Sequence, residues 1–260
     1  MFSFFKKKKN IVKEKESPVS HVEKFSNIEP LLKYFQEETG ITFEEQIDIF
    51  INKVILFCKQ RNIYSFCELI KILKNDNIIK QDFVDYLTTN ETYFYRELKQ
   101  IKQCVEFAKK ENKSIKILCA PSATGEEPYS IAIAMLEAGI PANQIHITGI
   151  DINREALQKA KQAIYKERNI HNLPLQILEK YFIKENDKYL LKENIKSLVI
   201  FHLANIFDTS FKNLGKFDFV FSRNMLIYFD KPTKQKAKLI LESMRKSEKH
   251  NVFFGHADLF

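Results

Sequence analysis

Residues 115–128 read Ile115-Lys116-Ile117-Leu118-Cys119-Ala120-Pro121-Ser122-Ala123-Thr124-Gly125-Glu126-Glu127-Pro128, an apolar run followed by a glycine turn and two acids. A short apolar run that ends in Pro and Gly is typical of a buried strand. Acidic residues after the glycine favour a helix start, and a helical pattern continues to about residue 138. The stretch therefore predicts the first strand, turn and helix of a parallel sheet.

The alternation of strand and helix continues towards the C-terminus. Strands that alternate with helices form βαβ units, so the sequence predicts an α/β fold with a mostly parallel sheet over 112–260. The polar interval of about 166–197 breaks this alternation and predicts an inserted, hairpin-like β subdomain. The predicted strands are Ile145–Ile150, Leu198–Leu203, Phe217–Ser222 and Val252–Gly255, the predicted helices span about 153–164 and 233–247, and the apolar pieces of the insertion are Tyr181–Ile183 and Tyr189–Leu191.

Helical patterns dominate the N-terminal side of this sheet. An apolar stripe and two capping boxes predict a helical domain over 26–87, and a linker helix is expected over 88–111. Residues 1–25 carry the basic run Lys6–Lys15 and are predicted to form a flexible arm, either a solubilising tail or a segment that docks on anionic lipid or acidic helices. The stripe is Ile47, Phe50, Ile51, Val54, Ile55 and Cys58, and the capping boxes are Thr42-Phe43-Glu44-Glu45 and Ser65-Phe66-Cys67-Glu68.

Composition limits the class of protein without naming its activity. Hydrophobic residues make up 45% and charged residues 28% of the 260 residues, which is typical of a globular chain. No apolar run reaches the roughly 18–20 residues of a membrane-spanning helix, so we expect a cytoplasmic protein. The net charge of +8 favours an acidic partner, whether nucleic acid, membrane or protein. The four cysteines lack a C-x-x-C pair and are predicted to be buried thiols, and the six histidines lack ligand spacing, so we expect no metal.

The turn after the first strand predicts a ligand site, because ligands of open parallel sheets bind at the carboxyl ends of the strands. It holds one glycine, Gly125, and two acids, Glu126 and Glu127. A helix start with exposed amides ordinarily attracts phosphate, but the two carboxylates would repel the pyrophosphate of a dinucleotide. A ligand with an ammonium or a sulfonium group fits better, and S-adenosylmethionine carries both. The alternative is that both acids only stabilise the helix dipole.

Asp151 follows the second predicted strand, near the offset of about 20 residues at which an acid binds ribose hydroxyls. A carboxylate can accept two hydrogen bonds at once, which suits a ribose diol. The alternative is that Asp151 only caps the helix that begins near Asn153.

Two further stretches place charged residues near the same edge of the sheet. Arg223 and Asn224 follow the fourth predicted strand, and an arginine there needs an anion, either a cofactor carboxylate or an acidic substrate. Residues 88–97, which include Thr92 and Arg96, lie at the junction of the helical region and the sheet, where ligand clefts are common. The alternative for this second stretch is a helix start with aromatic core residues.

Together these stretches resemble the chemotaxis receptor glutamate methyltransferases, the CheR family, over about residues 25–258. The resemblance rests on three strings in the family's order: T-N-E-T-x-F-x-R at 89–96, T-G-E-E-P-Y-S-I-A at 124–132 and S-R-N-x-L-I-Y-F-D at 222–230. It implies a Rossmann-like methyltransferase sheet, the cofactor S-adenosylmethionine and methyl esterification of receptor glutamates. Arg96 matches a residue that orients the reacting groups, and Tyr228 one that lines the path of the substrate glutamate. The matching cofactor contacts are Asn90, Thr92, Arg96, Glu126, Asp151, Asn205, Ile206, Arg223 and Asn224.

The resemblance also implies partners and a location. We expect a cytoplasmic monomer that joins the chemoreceptor array through the cytoplasmic domains of receptors, without binding nucleic acid or inserting into the membrane. The chain departs from the family where Gly255-His256-Ala257-Asp258 replaces Gly-His-Ser-Glu, and it stops at Phe260, where relatives continue into further strand structure. Two alternatives remain open: a nucleic-acid methyltransferase, prompted by the net charge, and a non-catalytic S-adenosylmethionine sensor.

Overall fold

A computed structural model describes residues 25–111 and 113–259 of the 260-residue chain, except for the side chains of Glu45 and Leu259. The arm predicted over 1–25 lies outside the described residues, apart from Phe25. The Phe25 ring packs against Phe66 with their centroids 5.2 Å apart. No helix within the described ranges has the length and the apolar composition that crossing a bilayer requires.

The N-terminal region is built from helices that pack around one apolar core. The predicted stripe on the second of them is confirmed, since Phe50, Val54 and Cys58 are fully buried in this core. Burial of an apolar face is the main source of stability for helices of this length. The helices are α1 (Glu29–Thr39), α2 (Ile47–Gln60), α3 (Phe66–Asn75) and α4 (Asn77–Leu87).

The two predicted helix caps have different outcomes. Ser65 caps α3 as predicted, because its hydroxyl oxygen accepts the Glu68 amide at 3.1 Å. The cap predicted at Thr42 is wrong, since a 3-10 turn over Glu44–Gln46 comes first and α2 begins only after it. The Thr42 amide instead donates to the carbonyl of Tyr228 at 2.9 Å. A contact with the other end of the chain therefore replaces the local cap.

The prediction of four buried thiols is wrong for one cysteine. Cys58, Cys104 and Cys119 are buried, but Cys67 is exposed on α3. Successive residues of a helix point about 100° apart, so an apolar run at a helix start contains positions that face solvent.

A loop and a helix connect the N-terminal helices to the sheet. Helix α5 spans Leu98–Glu111, so residues 88–97 are irregular and the linker helix is shorter than predicted. The reason lies in the backbone: Tyr95 and Glu97 have φ values of 58° and 48°, which a right-handed helix does not contain. Ile101 and Cys104 of α5 are fully buried against the sheet domain.

The rest of the chain alternates strands and helices, with bounds that agree with the predicted elements of the central sheet to within a few residues. The strands are β1 (Ile115–Cys119), β2 (Ile145–Asp151), β3 (Ile164–Lys166), β4 (Phe182–Glu185), β5 (Lys188–Leu191), β6 (Val199–Leu203), β7 (Phe219–Ser222) and β8 (Val252–Phe254). The helices are α6 (Glu126–Glu137), α7 (Arg154–Gln162), α8 (Glu167–Ile170), α9 (Leu175–Tyr181), α10 (Glu193–Lys196) and α11 (Lys231–Ser243).

The central sheet has five strands in the order β6-β2-β1-β7-β8, and all neighbouring pairs are parallel. Ile117, Leu118 and Cys119 of the middle strand are fully buried, as expected of a parallel strand covered on both faces. The connections change direction at β1, and such sheets bind ligands beside the carboxyl ends of the strands at that point. The predicted fold class, a Rossmann-like α/β sheet with N-terminal helices and an inserted β subdomain, is confirmed.

A separate antiparallel sheet with the order β3-β5-β4 forms the inserted β subdomain. Its hairpin, β4 and β5, contains both apolar pieces of the interval 166–197 except Tyr181, which ends α9. The sequence does not predict β3, because this strand has three residues and follows α7 directly after Ala163, which ends the helix at a φ of 52°.

Candidate active site

A cleft opens at the carboxyl ends of β1, β2 and β7, and Thr39 and Ile41 line it from the side of the N-terminal helices. Its walls come mainly from three loops: the linker loop (residues 88–97), the glycine loop (residues 120–125) and the arginine loop (residues 223–229). The sequence-predicted site residues that line the cleft are Asn90, Thr92, Arg96, Asp151, Asn205, Ile206, Arg223, Asn224 and Tyr228.

Asp151 ends β2 and is only 4% exposed. Its Oδ2 accepts the Ala123 amide at 2.8 Å, and its Oδ1 accepts the Asn153 amide at 2.9 Å. Burial raises the pKa of Asp151 to about 6, against the opposing effect of these amides. Asn153 is the residue that caps α7, since its side chain accepts the Ala156 amide at 2.8 Å. A carboxylate has about four lone-pair sites, so Asp151 keeps capacity for a ligand hydroxyl.

The two adjacent glutamates at the start of α6 point in different directions. Glu127 lines the cleft, and its Oε1 is buried without a hydrogen-bond partner among the described residues. Glu126 is fully buried behind the glycine loop, where its carboxylate accepts the Thr124 hydroxyl at 2.6 Å and the Asn169 amide group at 2.8 Å. Because helix positions one residue apart differ by about 100° in direction, only one of the two faces the cleft. Of the two acids, Glu127 therefore lines the cleft, and the predicted site residue Glu126 does not.

The two carboxyl groups also differ in their charge partners. Burial raises the pKa of Glu126 to about 7, and the donors from Thr124 and Asn169 limit that rise. Burial raises the pKa of Glu127 as well, but there the Arg223 guanidinium counteracts the effect directly.

Arg223, in the arginine loop, is 6% exposed and forms a buried ion pair with Glu127 through its Nε. Its Nη1 donates to the carbonyl of Arg96 at 2.6 Å. Glu127 of the same chain thus supplies an anion for Arg223. Arg223 binds the arginine loop, α6 and the linker loop together.

Arg96, in the linker loop, is half-buried and lines the cleft. Its Nη1 donates to the Glu91 carbonyl at 3.1 Å, and it forms no salt bridge with a described residue. On either side, Tyr95 and Glu97 have left-handed backbone, and the Tyr95 amide donates to the Ser130 hydroxyl at 3.0 Å. Non-glycine residues in this conformation are uncommon and cluster at functional sites. The loop therefore holds a cation at the cleft without a salt bridge to any residue that the structure describes.

Asp258 fixes the arginine loop from behind. Its carboxylate accepts the amides of Asn224 at 2.6 Å, Leu226 at 2.8 Å and Gly255 at 3.1 Å. Asn224 has a φ of 58°, and its Oδ1 is buried at the cleft with no partner among the residues described. Tyr228 lies at the rim of the cleft and is 40% exposed.

Polar contacts tie the N-terminal helices to the sheet edge that carries the cleft. The Asn205 side chain donates to the Glu38 carbonyl at 2.8 Å. Arg154, at the start of α7, forms ion pairs with Asp82 at 2.7 Å and Asp85 at 2.9 Å on α4. The cleft is therefore built jointly by the helical region and the sheet.

Known proteins are similar in sequence to this chain over most of its length. A chemotaxis protein methyltransferase of Campylobacter jejuni is 34% identical over 88% of this chain and 86% of its own length. Proteins of the same name from Borreliella burgdorferi and Salmonella typhimurium are 31% and 28% identical, over 88% and 87% of this chain and 86% and 81% of their own length. A family model described as CheR methyltransferase, SAM binding domain, matches residues 90–260. The chain belongs to the CheR methyltransferase family.

Membership of the CheR family confirms the resemblance read from the sequence. The protein is a chemotaxis methyltransferase, and its cofactor is S-adenosylmethionine. The solved methyltransferase domain of bacterial CtHen1 is similar over 57% of this chain and 60% of its own length, with 13% identity and a TM-score of 0.36.

The cleft of this CheR protein fits its cofactor in hydrogen-bonding capacity. Asp151, Glu127 Oε1 and Asn224 Oδ1 are acceptors with unused lone pairs at the cleft. S-adenosylmethionine carries matching donors, namely ribose hydroxyls, an ammonium group and an adenine amino group. The Ala123 amide, which a phosphate would need, already donates to Asp151. Within the described ranges, no cluster of His, Cys, Asp or Glu side chains could hold a metal ion.

Sequence reasoning missed the roles of Glu127 and Asp258 in this CheR site. Helix α6 gives no periodic signal for Glu127, because its first turns are buried on all sides. A signal for Asp258 does exist: it follows the last predicted strand, whose carboxyl end lies beside that of β7. A polar residue at that position can reach the amides of the arginine loop.

Proposed function

We propose that this CheR protein methylates glutamate side chains on the cytoplasmic domains of bacterial chemoreceptors and so forms glutamate methyl esters. The observation that carries the proposal is Arg96, a half-buried cation at the cleft that forms no salt bridge with a described residue. A substrate carboxylate supplies the missing anion, and arginine binds carboxylates with two parallel hydrogen bonds.

The lining of the cleft suits a nucleophile that needs no base. A glutamate carboxylate has a reference pKa of about 4.3 and is ionised near neutral pH. No histidine, lysine or cysteine is among the described residues that line the cleft. S-adenosylmethionine supplies the electrophilic methyl group when bound. The residues of the chain then hold the two reactants in position and exclude water from them. Both effects can raise the rate of a reaction between two molecules by a large factor.

Each site residue has a proposed role. Arg96 orients the substrate carboxylate, and Tyr228, at the rim of the cleft, lines the path by which that side chain enters. Asp151 binds the ribose hydroxyls of the cofactor, and Glu127 replaces Glu126 as the acid of the first helix that contacts it. The other proposed cofactor contacts are Asn90, Thr92, Arg96, Asn205, Ile206, Arg223 and Asn224.

The proposed partner is a receptor protein rather than nucleic acid. A phosphate backbone requires several free cations, but Arg223 is already paired with Glu127, and two buried acceptors line the same cleft. We further propose that the protein acts as a monomer in the cytoplasm at the chemoreceptor array, without inserting into the membrane.

The experiment combines the purified chain with tritiated S-adenosylmethionine and membranes that contain a chemoreceptor. We expect label on the receptor that is released as methanol by mild base, since methyl esters hydrolyse readily and methylated amines or amides do not. Asp151→Ala should abolish labelling, because the cofactor loses its ribose acceptor. Asp187→Ala, an exposed acid in the hairpin of the inserted subdomain, is the matched control and should label normally.

Two outcomes would contradict this proposal. Base-stable label on the receptor would mean a different acceptor atom. Tight binding of S-adenosylmethionine with no transfer to any receptor would instead support the non-catalytic sensor.

A further inference from the structure

The inserted β subdomain touches the back of two loops that form the cleft. Asn169, in α8, is the main point of contact. Its side-chain amide donates to the Glu126 carboxylate at 2.8 Å and approaches the Thr92 carbonyl at 3.5 Å. Its own carbonyl accepts the Phe94 amide at 2.7 Å. One residue of the insertion thus contacts both the linker loop and the helix start that follows the glycine loop.

Tyr165, in β3, makes a second connection of the same kind. Its hydroxyl donates to the Thr124 carbonyl in the glycine loop at 3.0 Å. Its ring packs edge-on against Phe94 of the linker loop, with centroids 4.8 Å apart. Tyr165 is fully enclosed, and a side chain at Gly125 would approach its hydroxyl to 3.1 Å. The glycine loop therefore fits closely against the insertion.

We propose that Asn169 and Tyr165 are positioning residues of the cofactor site, which hold the linker loop and the glycine loop in the arrangement that binds S-adenosylmethionine. Neither residue lines the cleft, so each acts through the loops that it contacts. The inference rests on the proposed cofactor contacts in and directly after these loops, above all Thr92 in the linker loop and Glu127 at the start of α6.

The environment of Glu126 explains why the Asn169 contact matters. Glu126, the first residue of α6, is fully buried. Its side-chain donors are Thr124, in the glycine loop just before it, and Asn169, an external donor from the insertion. Removing the external donor leaves a buried carboxylate with one side-chain donor, which favours movement of the loop towards water or another partner. Because Glu127 is the next residue, such movement displaces an acid of the cleft.

The experiment measures the affinity of the full-length chain for S-adenosylhomocysteine by calorimetry, which needs no receptor. Asn169→Ala should weaken binding about tenfold, and Tyr165→Phe about threefold to tenfold, since each tenfold change corresponds to the loss of roughly one hydrogen bond. Matched controls come from the same subdomain. Asn194→Ala removes an exposed amide side chain, and Tyr189→Phe removes a hydroxyl that donates to Glu167, within the insertion, at 3.3 Å. Both controls should bind as tightly as the unaltered chain.

Two further measurements separate positioning from general destabilisation. In steady-state assays, the KM for S-adenosylmethionine should rise in Asn169→Ala while kcat at saturating cofactor changes little. The double variant Glu126→Gln/Asn169→Ala should bind S-adenosylhomocysteine no more weakly than Asn169→Ala alone, because a neutral glutamine leaves no buried charge short of a donor.

The outcomes distinguish this inference from the proposed function. Unaltered binding by both Asn169→Ala and Tyr165→Phe would overturn the inference and leave the proposed function standing. Failure of the unaltered chain to bind S-adenosylhomocysteine would overturn both. If Asn169→Ala does not fold, the comparison of Tyr165→Phe with Tyr189→Phe decides alone.

Discussion

Arg223 and Arg96 lie on two loops of the same cleft but in contrasting environments. Arg223 is 6% exposed, forms an ion pair with Glu127 and donates to the carbonyl of Arg96. Arg96 is half-buried, donates to the carbonyl of Glu91 and forms no salt bridge with a described residue. The fold pairs the first guanidinium with a carboxylate and leaves the second without a salt bridge to a described residue.

This difference assigns the two arginines to different tasks. Removing one partner of a buried ion pair leaves an uncompensated charge, so Arg223 cannot change partners without a large loss of stability. Arg96 has unused donors beside the cleft and can bind an anion without breaking a pair. Both residues are arginines on loops that line the same cleft. The two arginines differ in their partners in the folded chain: a carboxylate for Arg223 and a backbone carbonyl for Arg96.

The largest expected effect concerns stability. Arg223→Ala should lower the free energy of unfolding by about 3–5 kcal/mol, because Glu127 then stays buried without a cation. Urea unfolding followed by circular dichroism measures this loss. The double variant Arg223→Ala/Glu127→Gln should recover part of it, since no buried charge is left unpaired. A loss below about 1 kcal/mol is typical of a surface substitution. It would mean that the Arg223 ion pair contributes little to stability, so that Arg223 and Arg96 would not differ in this respect.

The next effect concerns activity with little change in stability. Arg96→Ala should reduce receptor methylation by about 100- to 1000-fold, the range observed when one preorganised donor is removed from an active site. Its free energy of unfolding should change by less than about 1 kcal/mol, since no buried pair is broken. Initial rates of label transfer at saturating cofactor, with urea unfolding in parallel, measure both.

Two further variants sharpen the Arg96 test. Arg96→Lys keeps the charge but loses the planar pair of donors, so its activity should fall between those of the unaltered chain and Arg96→Ala. Lys99→Ala, a nearby exposed cation on α5, should methylate normally. Full methylation and full cofactor affinity in Arg96→Ala would show that the orienting role belongs to another residue.

The central sheet could be predicted because its signal is local. The apolar run Ile115–Ala120 predicts a buried strand, and the structure places β1 there. The glycine turn after the run likewise predicts the loop that follows β1. Asp151 could be placed at the cleft for a related reason. Parallel strands bring their carboxyl ends to one edge, so a polar residue at a strand end has a predictable location.

The details of the site depend on contacts that are distant in the sequence. Nothing local distinguishes Glu126 from Glu127, because both are buried and α6 has no exposed face in its first turn to set the direction of its side chains. Asp258 reaches the amide of Asn224 across 34 residues of sequence. The left-handed backbone beside Arg96 also depends on tertiary contacts, such as the bond from the Tyr95 amide to Ser130.

The smallest expected effect is a change in the pH dependence of stability, and it concerns the acids Glu126 and Glu127 rather than the two arginines. Glu127 has a cation partner, whereas Glu126 is held by Thr124 and Asn169, and its pKa is raised to about 7 from an ordinary value of 4.5. Between these two values the folded chain binds more protons at Glu126 than the unfolded chain does. The free energy of unfolding therefore decreases as the pH rises through this window. The contribution of Glu126 is fully present below about pH 4.5 and lost above about pH 7.

Glu126→Gln should remove this dependence, because a glutamine cannot ionise. We expect the variant to lose less stability than the unaltered chain between about pH 5 and about pH 8, by roughly 1–3 kcal/mol, given about 1.4 kcal/mol for each unit of pKa difference. Asp151, whose pKa is raised to about 6 by burial, titrates in both proteins and leaves a smaller decline in each. Urea unfolding at the two pH values measures the difference. Equal pH dependence in both proteins would mean that Glu126 stays ionised in the fold, so that Thr124 and Asn169 stabilise its charge as effectively as Arg223 stabilises that of Glu127.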